Sequence, residues 1–195
     1  MMSEKSITRQ ALSLRQQRGE AGSVAKTKLL LAELACDSNQ GDAAQQFAQD
    51  AVQEFQRENE SDSEILALAF LSRAMLKQGK IDEAQGAISK AKVLSTKSSD
   101  VATRLVLEVD SAYVLAAAGN SSGAELLARS AFAEAKKLGL VQTQLEASLA
   151  LGEIQIRDPN SAAGRTVLQQ LAKDARSRGF VLVERKASAA LARRT

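Results

Sequence analysis

One residue pattern returns in this chain every 40 residues, and it constrains the fold more than any other feature of the sequence. Small side chains occupy the same places in successive copies, and residues that end helices separate the copies. Self-similarity at a fixed period indicates a solenoid, in which each unit buries its apolar face against the next. The aligned columns are Ala32, Ser72, Ala112 and Gly152; Ala44, Ala84, Ala124 and Gly164; Ala51, Ala91, Ala131 and Leu171; and Gly19, Asn59, Ser99, Gly139 and Gly179.

The composition predicts that the repeated unit is helical. Of the 195 residues, 45% are hydrophobic, which is a normal globular fraction, and only one is proline. The helix-favouring residues Ala, Leu, Gln, Glu, Lys and Arg dominate. We therefore predict an all-α fold.

Two kinds of helix alternate within each repeat, and we name them A and B. Apolar residues recur in both at i, i+4 and i+7, which predicts one buried stripe for each helix. The predicted A helices span 22–37, 62–78, 100–118 and 141–157, and the predicted B helices span 42–58, 81–97, 121–138 and 161–178. The A stripe is Ile65, Ala69, Ser72; Leu105, Val109, Ala112; and Leu145, Leu149, Gly152. The B stripe is Ala44, Ala48, Ala51; Ala84, Ile88, Ala91; Ala124, Ala128, Ala131; and Gly164, Leu168, Leu171.

Residues that begin or end helices stand where these bounds require them. Gly79 and Gly119 follow A helices, because glycine tolerates the left-handed conformation that ends a helix. Asn39 and Pro159 stand at the equivalent positions of the first and last repeats. Asp62 and Asp100 are predicted N-caps.

The spacing of small residues resembles that of the tetratricopeptide repeat (TPR) family. In that family a small residue of helix A is followed, 12, 16 and 19 positions later, by a small, a bulky and an Ala residue of helix B. Here the two best matches are Ser72 followed by Ala84, Ile88 and Ala91, and Ala112 followed by Ala124, Ala128 and Ala131. The period of 40 exceeds the usual period of about 34, and the family's aromatic and proline columns are not kept. HEAT and armadillo repeats have periods of about 40–47 residues, but the small-residue spacing argues against them.

The resemblance implies a right-handed α-solenoid of TPR-like helical hairpins. We expect four helix-pair repeats within residues 22–179, which divide into 22–59, 60–99, 100–139 and 140–179. Residues 1–21 are expected to hold a partial repeat or an N-terminal capping helix, and residues 180–195 a C-terminal capping helix. Of these two interpretations of the opening half-unit, we favour the partial repeat, which would make this sequence a segment of a longer array of repeats.

The residue inventory excludes several kinds of chemistry. The chain has no histidine and one cysteine, Cys36, which excludes histidine-based acid–base catalysis, the Ser–His–Asp and Cys–His arrangements, and His-ligated or multi-Cys metal sites. No phosphate-binding loop is present. We therefore expect no enzymatic activity, no cofactor and no metal. No apolar run approaches the ~20 residues that span a membrane, and a single cysteine fits a reducing compartment, so the expected location is cytoplasmic with no membrane partner.

The resemblance also implies a binding surface, because stacked A helices line the concave groove of a TPR array. Tyr113 could anchor an interface there or could fill a gap between adjacent A helices, and the sequence leaves both possibilities open. The candidate groove residues are Lys26, Glu33, Leu66, Arg73, Leu76, Lys77, Val106, Tyr113, Glu146, Glu153, Ile156 and Arg157.

The leading functional hypothesis is a scaffold or adaptor that binds a protein or peptide segment, as part of a larger signalling or regulatory protein. One alternative is a ligand- or peptide-sensing module coupled to an effector domain. A second is nucleic-acid binding through the basic C-terminal end, which we rank lower because only Phe180 interleaves with its charges. From Arg165 onward eight basic residues face two acidic ones, a net charge of +6, and the most prominent are Arg176, Arg178, Arg185 and Lys186. The oligomeric state and the identity of the partner do not follow from the sequence.

Overall fold

The computed structural model describes residues 4–38, 40–158 and 162–192, and all regular structure in these ranges is α-helical. The all-α prediction is therefore confirmed for the described part of the chain. The helices are α1 (Glu4–Gln17), α2 (Ala21–Asp37), α3 (Gly41–Glu58), α4 (Ser61–Lys77), α5 (Ile81–Ser95), α6 (Val101–Ala117), α7 (Ser121–Lys137), α8 (Val141–Gln155), α9 (Ala162–Ser177) and α10 (Val181–Ala192).

These helices follow the predicted alternation. The A helices are α2, α4, α6 and α8, and the B helices are α3, α5, α7 and α9. Two further helices, α1 and α10, occupy the half-repeats at either end of the sequence. The bounds lie within a few residues of the predicted ones.

The column of helix-ending residues takes the expected backbone conformation with one exception. Asn59 and Gly139 end α3 and α7 with φ of 56° and 70°, in the left-handed region that Gly and Asn tolerate. Ser99 is the exception, because α5 already ends at Ser95. The hydroxyl groups of Ser95 and Thr96 donate hydrogen bonds to the carbonyls of Lys92 and Val93, each at 2.8 Å, and such local bonds compete with helix continuation. The predicted helix-ending residues Asn39 and Pro159 lie outside the described residues.

The two predicted N-caps have different outcomes. Asp100 caps α6, since its Oδ1 accepts a hydrogen bond from the backbone nitrogen of Ala102 at 3.0 Å. The prediction for Asp62 is wrong, because α4 begins at Ser61 and Asp62 lies in its first turn. An acidic residue in that turn still interacts favourably with the helix dipole.

The contacts divide the chain into two compact units, Met1–Thr103 and Arg104–Thr195, which we call unit 1 and unit 2. In unit 1, α1 packs on α2, α2 on α3, α3 on α4 and α4 on α5, and α2 also contacts α4. In unit 2, α7 packs on α8, α8 on α9 and α9 on α10, and α8 also contacts α10. In both units an A helix therefore contacts its own B helix and the next A helix.

The predicted stripes form the interior of each unit. Every residue of the A and B stripes is buried, from Ala44 and Ile65 in unit 1 to Leu168 and Leu171 in unit 2. Burial of these stripes supplies the hydrophobic stabilisation that a short helix lacks on its own. The i, i+4, i+7 pattern thus identified the core from the sequence.

The small-residue columns mark where an A helix crosses its B helix, and at the crossing of α8 and α9 both columns carry glycine. A Cβ added to Gly164 would lie 2.5 Å from the backbone nitrogen of Ile156 and 2.9 Å from the carbonyl oxygen of Gly152. A Cβ on Gly152 would lie 2.6 Å from Cγ of Leu168. Only glycine leaves room at both positions, where the other repeats carry Ala or Ser.

Candidate functional site

Ten of the twelve candidate groove residues form a second row on the A helices, separate from the buried stripes, and the last two, Ile156 and Arg157, follow directly after α8, which ends at Gln155 and not at the predicted residue 157. We call all twelve the A-face residues. None of them is buried: Lys26, Lys77 and Arg157 are exposed, and the others are half-buried. Six belong to unit 1 (Lys26, Glu33, Leu66, Arg73, Leu76 and Lys77) and six to unit 2 (Val106, Tyr113, Glu146, Glu153, Ile156 and Arg157).

In unit 1, α4 carries aliphatic and cationic A-face residues side by side. The guanidinium carbon of Arg73 lies 5.1 Å from the centroid of the Phe70 ring, one turn earlier in the helix. This distance is within the range of a cation–π interaction, which restrains the side chain. Leu66 and Leu76 are half-buried, and Lys77 is exposed. The row therefore offers apolar area together with positive charge.

Lys26, on α2, adds a further cation to the A-face of unit 1. Its Nζ lies 3.9 Å from Oε2 of Glu60, and the two side chains are 63% and 39% exposed. An exposed pair at this distance is weak and is screened by salt. Lys26 therefore remains available to an external acidic group.

The sequence reasoning missed a shorter ion pair between α2 and α3. Nζ of Lys28 on α2 donates a hydrogen bond to Oδ2 of Asp50 on α3 at 2.7 Å, and Gln46 donates to Oδ1 of Asp50 at 2.8 Å. Burial by itself would raise the pKa of Asp50, but the hydrogen bonds from Lys28 and Gln46 and the charge of Lys28 outweigh it and lower that pKa. The signal available in the sequence was Lys28 itself, a charged residue in the family's first aromatic column.

In unit 2 the structure joins two A-face residues directly. The phenolic oxygen of Tyr113 on α6 donates a hydrogen bond to Oε2 of Glu153 on α8 at 2.8 Å. Of the two possibilities for Tyr113, this geometry favours the one in which it bridges adjacent A helices. Tyr113 is half-buried, so part of its side chain remains accessible.

The A-face of unit 2 differs in charge from that of unit 1. It carries Glu146 and Glu153 against Arg157, whereas unit 1 carries three cations against Glu33. Glu146 accepts a hydrogen bond from Gln142 at 3.3 Å, which holds its carboxylate along α8. The row of unit 1 is therefore basic and apolar, and that of unit 2 is acidic.

One end of the A-face in unit 2 is partly internal. Ile156 packs against the apolar cluster that contains Leu145, Leu149 and Leu168. Ala116, at the position of α6 equivalent to Leu76 in α4, is buried. Ile156 therefore contributes to the stability of unit 2 as well as to its surface.

Buried polar side chains are the second feature that the periodicity missed. Asp110 is fully buried and Ser111 is 1% exposed, both on α6. Gln155 is 6% exposed and donates a hydrogen bond from Nε2 to Oε2 of Glu125 at 2.8 Å, which ties the end of α8 to α7. The available signal was a change of residue type within a column, since Asp110 stands where α2 and α4 carry Leu30 and Phe70.

The basic C-terminal end is partly neutralised within unit 2. Arg176 makes a two-nitrogen contact with Oε1 of Glu184, at 2.7 Å from Nε and 2.6 Å from Nη2. Phe180 is half-buried against the apolar cluster of unit 2, so part of its ring contributes to packing rather than to base stacking. Arg193 and Arg194, which also contributed to the predicted basic patch, lie outside the described residues.

In the described ranges, no group of three or more Cys, Asp or Glu residues is arranged to hold a metal ion. Among the same residues, no helix has the length and apolarity needed to cross a membrane. No protein-family model matches the chain. No curated protein matches it either.

Proposed function

We propose that this chain is a protein- or peptide-binding scaffold built from TPR-like hairpins of a right-handed α-solenoid. The 40-residue period, the alternation of A and B helices and the close crossing at small residues support this proposal. The partner contacts the A-face residues and is a peptide or helix that combines apolar side chains with charged ones.

The observation that carries the proposal is the accessibility of the A-face. The A helices already bury one stripe for stability, so a purely solvated second face needs no large apolar residues. Leu66 and Leu76 in unit 1, and Val106 and Tyr113 in unit 2, nevertheless lie half-exposed among charged residues. Aromatic and arginine side chains are enriched in protein interfaces, and apolar residues that gather on an accessible surface mark an interaction site.

The proposal assigns the chain a binding role rather than a catalytic one, within a larger signalling or regulatory protein. A chain with one cysteine cannot form a disulfide within itself. This supports the proposal that the protein functions in a reducing compartment such as the cytoplasm. The sensor alternative has no specific observation in its favour, and the Arg176–Glu184 pair weakens the nucleic-acid alternative.

The experiment that tests the proposal is site-specific photo-crosslinking in cells. A photoreactive amino acid placed at Leu66 or Leu76 is expected to give discrete protein adducts, because both positions face the proposed partner. The matched control is Val93 of α5, which is 70% exposed but lies on a B helix. The proposal is wrong if positions 66 and 76 give no adduct, or the same adducts as position 93.

A further inference from the structure

Two carboxylates on the A-face of unit 2 accept hydrogen bonds from uncharged groups. Glu146 accepts one from the side-chain amide of Gln142 at 3.3 Å, and Glu153 accepts one from the hydroxyl group of Tyr113 at 2.8 Å. Among the described residues, no cation forms an ion pair with Glu146 or Glu153. Each carboxylate therefore keeps its negative charge and most of its capacity to accept further hydrogen bonds.

Four other carboxylates of unit 2 each form an ion pair within the protein. All four are half-buried, as Glu146 and Glu153 are, so the degree of burial does not explain the difference. The nitrogen–oxygen distances of these pairs are 3.5 Å for Glu125 and Arg129, 3.8 Å for Glu134 and Lys137, 3.9 Å for Asp174 and Arg178, and 2.6 Å for Glu184 and Arg176. Glu146 and Glu153 are thus distinguished by charges that are accessible to an external cation.

The two carboxylates share a face of α8 that lies beside an apolar row of α6. Glu146 and Glu153 are seven residues apart, which places them about 10 Å from each other along the helix axis. Val106 and Tyr113 of α6 have the same separation and are also half-buried. The hydrogen bond between Tyr113 and Glu153 joins the two helices at this point. The face therefore combines negative charge with aliphatic and aromatic area.

We propose that this face binds a basic and apolar segment of a partner protein, in which two Lys or Arg side chains pair with Glu146 and Glu153. This inference rests on the proposed scaffold function and specifies the chemistry of the partner by charge complementarity. The methylene groups of the same Lys or Arg side chains contact Val106 and Tyr113. A cation that reaches Glu153 also lies near the Tyr113 ring, where a cation–π interaction adds to the ion pair.

The separation of the carboxylates determines the separation of the basic residues. A distance of about 10 Å corresponds to three residues of an extended segment or to seven residues of a helix. Arg157, four residues after Glu153, is exposed and repels a further cation at that end of the face. The segment is therefore expected to carry a spaced basic pair rather than a long run of basic residues.

The test is a selection of random-sequence peptides, displayed on phage, against the purified protein. We expect the recovered peptides to carry two Lys or Arg residues three or seven positions apart. Fluorescence anisotropy then measures the affinity of each labelled peptide in solution. In the variant Glu146→Gln with Glu153→Gln, the affinity is expected to fall by about tenfold or more, because two charge-assisted contacts are lost. A glutamine at position 153 still accepts a hydrogen bond from Tyr113, so the contact between the helices is kept.

The matched protein control removes two negative charges from B helices of the same unit. Glu134→Gln combined with Asp174→Asn is expected to change the affinity by less than about twofold, because these charges act on the peptide only at long range and are screened by salt. A peptide control does not depend on the folding of any variant. The recovered peptides are expected to lose binding when their two basic residues are replaced by glutamine.

Three results would overturn the proposal. The first is that no peptide binds with a dissociation constant below about 1 mM, the weak end of specific recognition. The second is that the recovered peptides lack the basic pair, and the third is that both protein variants weaken binding equally, which would indicate a general charge effect. Peptides without basic residues that lose affinity for Leu66→Asp would contradict this inference and leave the scaffold function standing. Failure of the scaffold function itself would appear as absent or unspecific photo-crosslinks at Leu66 and Leu76.

Discussion

Tyr113 and Glu153 are separated by one 40-residue repeat, and the hydroxyl group of the first donates a hydrogen bond to the carboxylate of the second at 2.8 Å. Residues of one column thus meet across successive A helices of unit 2. The contact indicates that α6 and α8 pack in the register that the repeat predicts. It also makes Tyr113 a stabilising residue of unit 2 in addition to a candidate for binding.

The first prediction concerns this hydrogen bond. Tyr113→Phe is expected to lower the free energy of unfolding by about 1 kcal/mol, at the low end for a bond to a charged group because both side chains are partly exposed. Urea denaturation measures the effect. In a Glu153→Gln background the same change should cost less. Fully additive effects would show that the two side chains do not interact in solution.

The second prediction concerns the crossing of α8 and α9. Gly164→Ala is expected to destabilise unit 2 by about 1–3 kcal/mol, because the new methyl group would overlap the backbone of Ile156. Gly86 is the matched control, a helical glycine of α5 with nothing within 4 Å of an added Cβ. Gly86→Ala is expected to stabilise the protein by about 0.5–1 kcal/mol. Thermal melts in which both changes are stabilising would contradict the close crossing.

The third prediction follows from the lowered pKa of Asp50. A carboxyl group whose pKa is lower in the folded than in the unfolded state stabilises the fold above its unfolded pKa, which is 3.8 for Asp. That stabilisation is lost as the pH falls through the folded pKa. Unfolding free energies measured between pH 6 and pH 2.5 should therefore show the protein to be more stable than its Asp50→Asn variant near neutrality, with a difference that shrinks below about pH 4. A difference that stays constant over this range would mean that Asp50 has an unshifted pKa.

The fourth prediction compares two neighbouring alanines of α7. Ala131 is fully buried in the B stripe, and Ala133 is exposed. Ala131→Glu is expected to cost several kcal/mol and to promote aggregation, because it buries a charge without a partner. Ala133→Glu is expected to change stability by no more than about 0.5 kcal/mol. Circular dichroism melts of the two variants check the assignment of the stripe, and equal melting temperatures would refute it.

The sequence predicted those parts of the fold that depend on periodic patterns. The stripe residues, from Ile65 to Leu171, are buried as their spacing requires, and the glycine columns end helices where expected. The early end of α5 was not predictable from the column of Ser99, because the residues at that end, Ser95 and Thr96, lie outside the column and their hydroxyl groups donate to the backbone there. The periodic pattern contains only what the repeats share, so it does not predict a side-chain hydrogen bond that is specific to one repeat.

The repeat pattern also did not predict which side chains pair with each other. The partner of Lys28 is Asp50, 22 residues away on another helix, and that of Tyr113 lies one repeat away. Asp110 is a carboxylic acid residue that is fully buried, in a column where α2 and α4 carry the apolar residues Leu30 and Phe70. Each of these features depends on how particular side chains pack. The accessibility of the A-face, in contrast, depends only on which face of each A helix is not occupied by the buried stripe.

The measurement that tests the central claim most directly is the affinity of the cross-linked partner segment for an altered A-face. Isothermal titration calorimetry would compare the unaltered protein with Arg73→Glu combined with Lys77→Glu, and with Arg185→Glu combined with Lys186→Glu at the basic C-terminal end. The account predicts that the A-face variant, with an unchanged melting temperature, loses at least about 2 kcal/mol of binding free energy while the C-terminal variant binds normally. Unchanged binding to the A-face variant, together with loss of binding to the C-terminal variant, would contradict it.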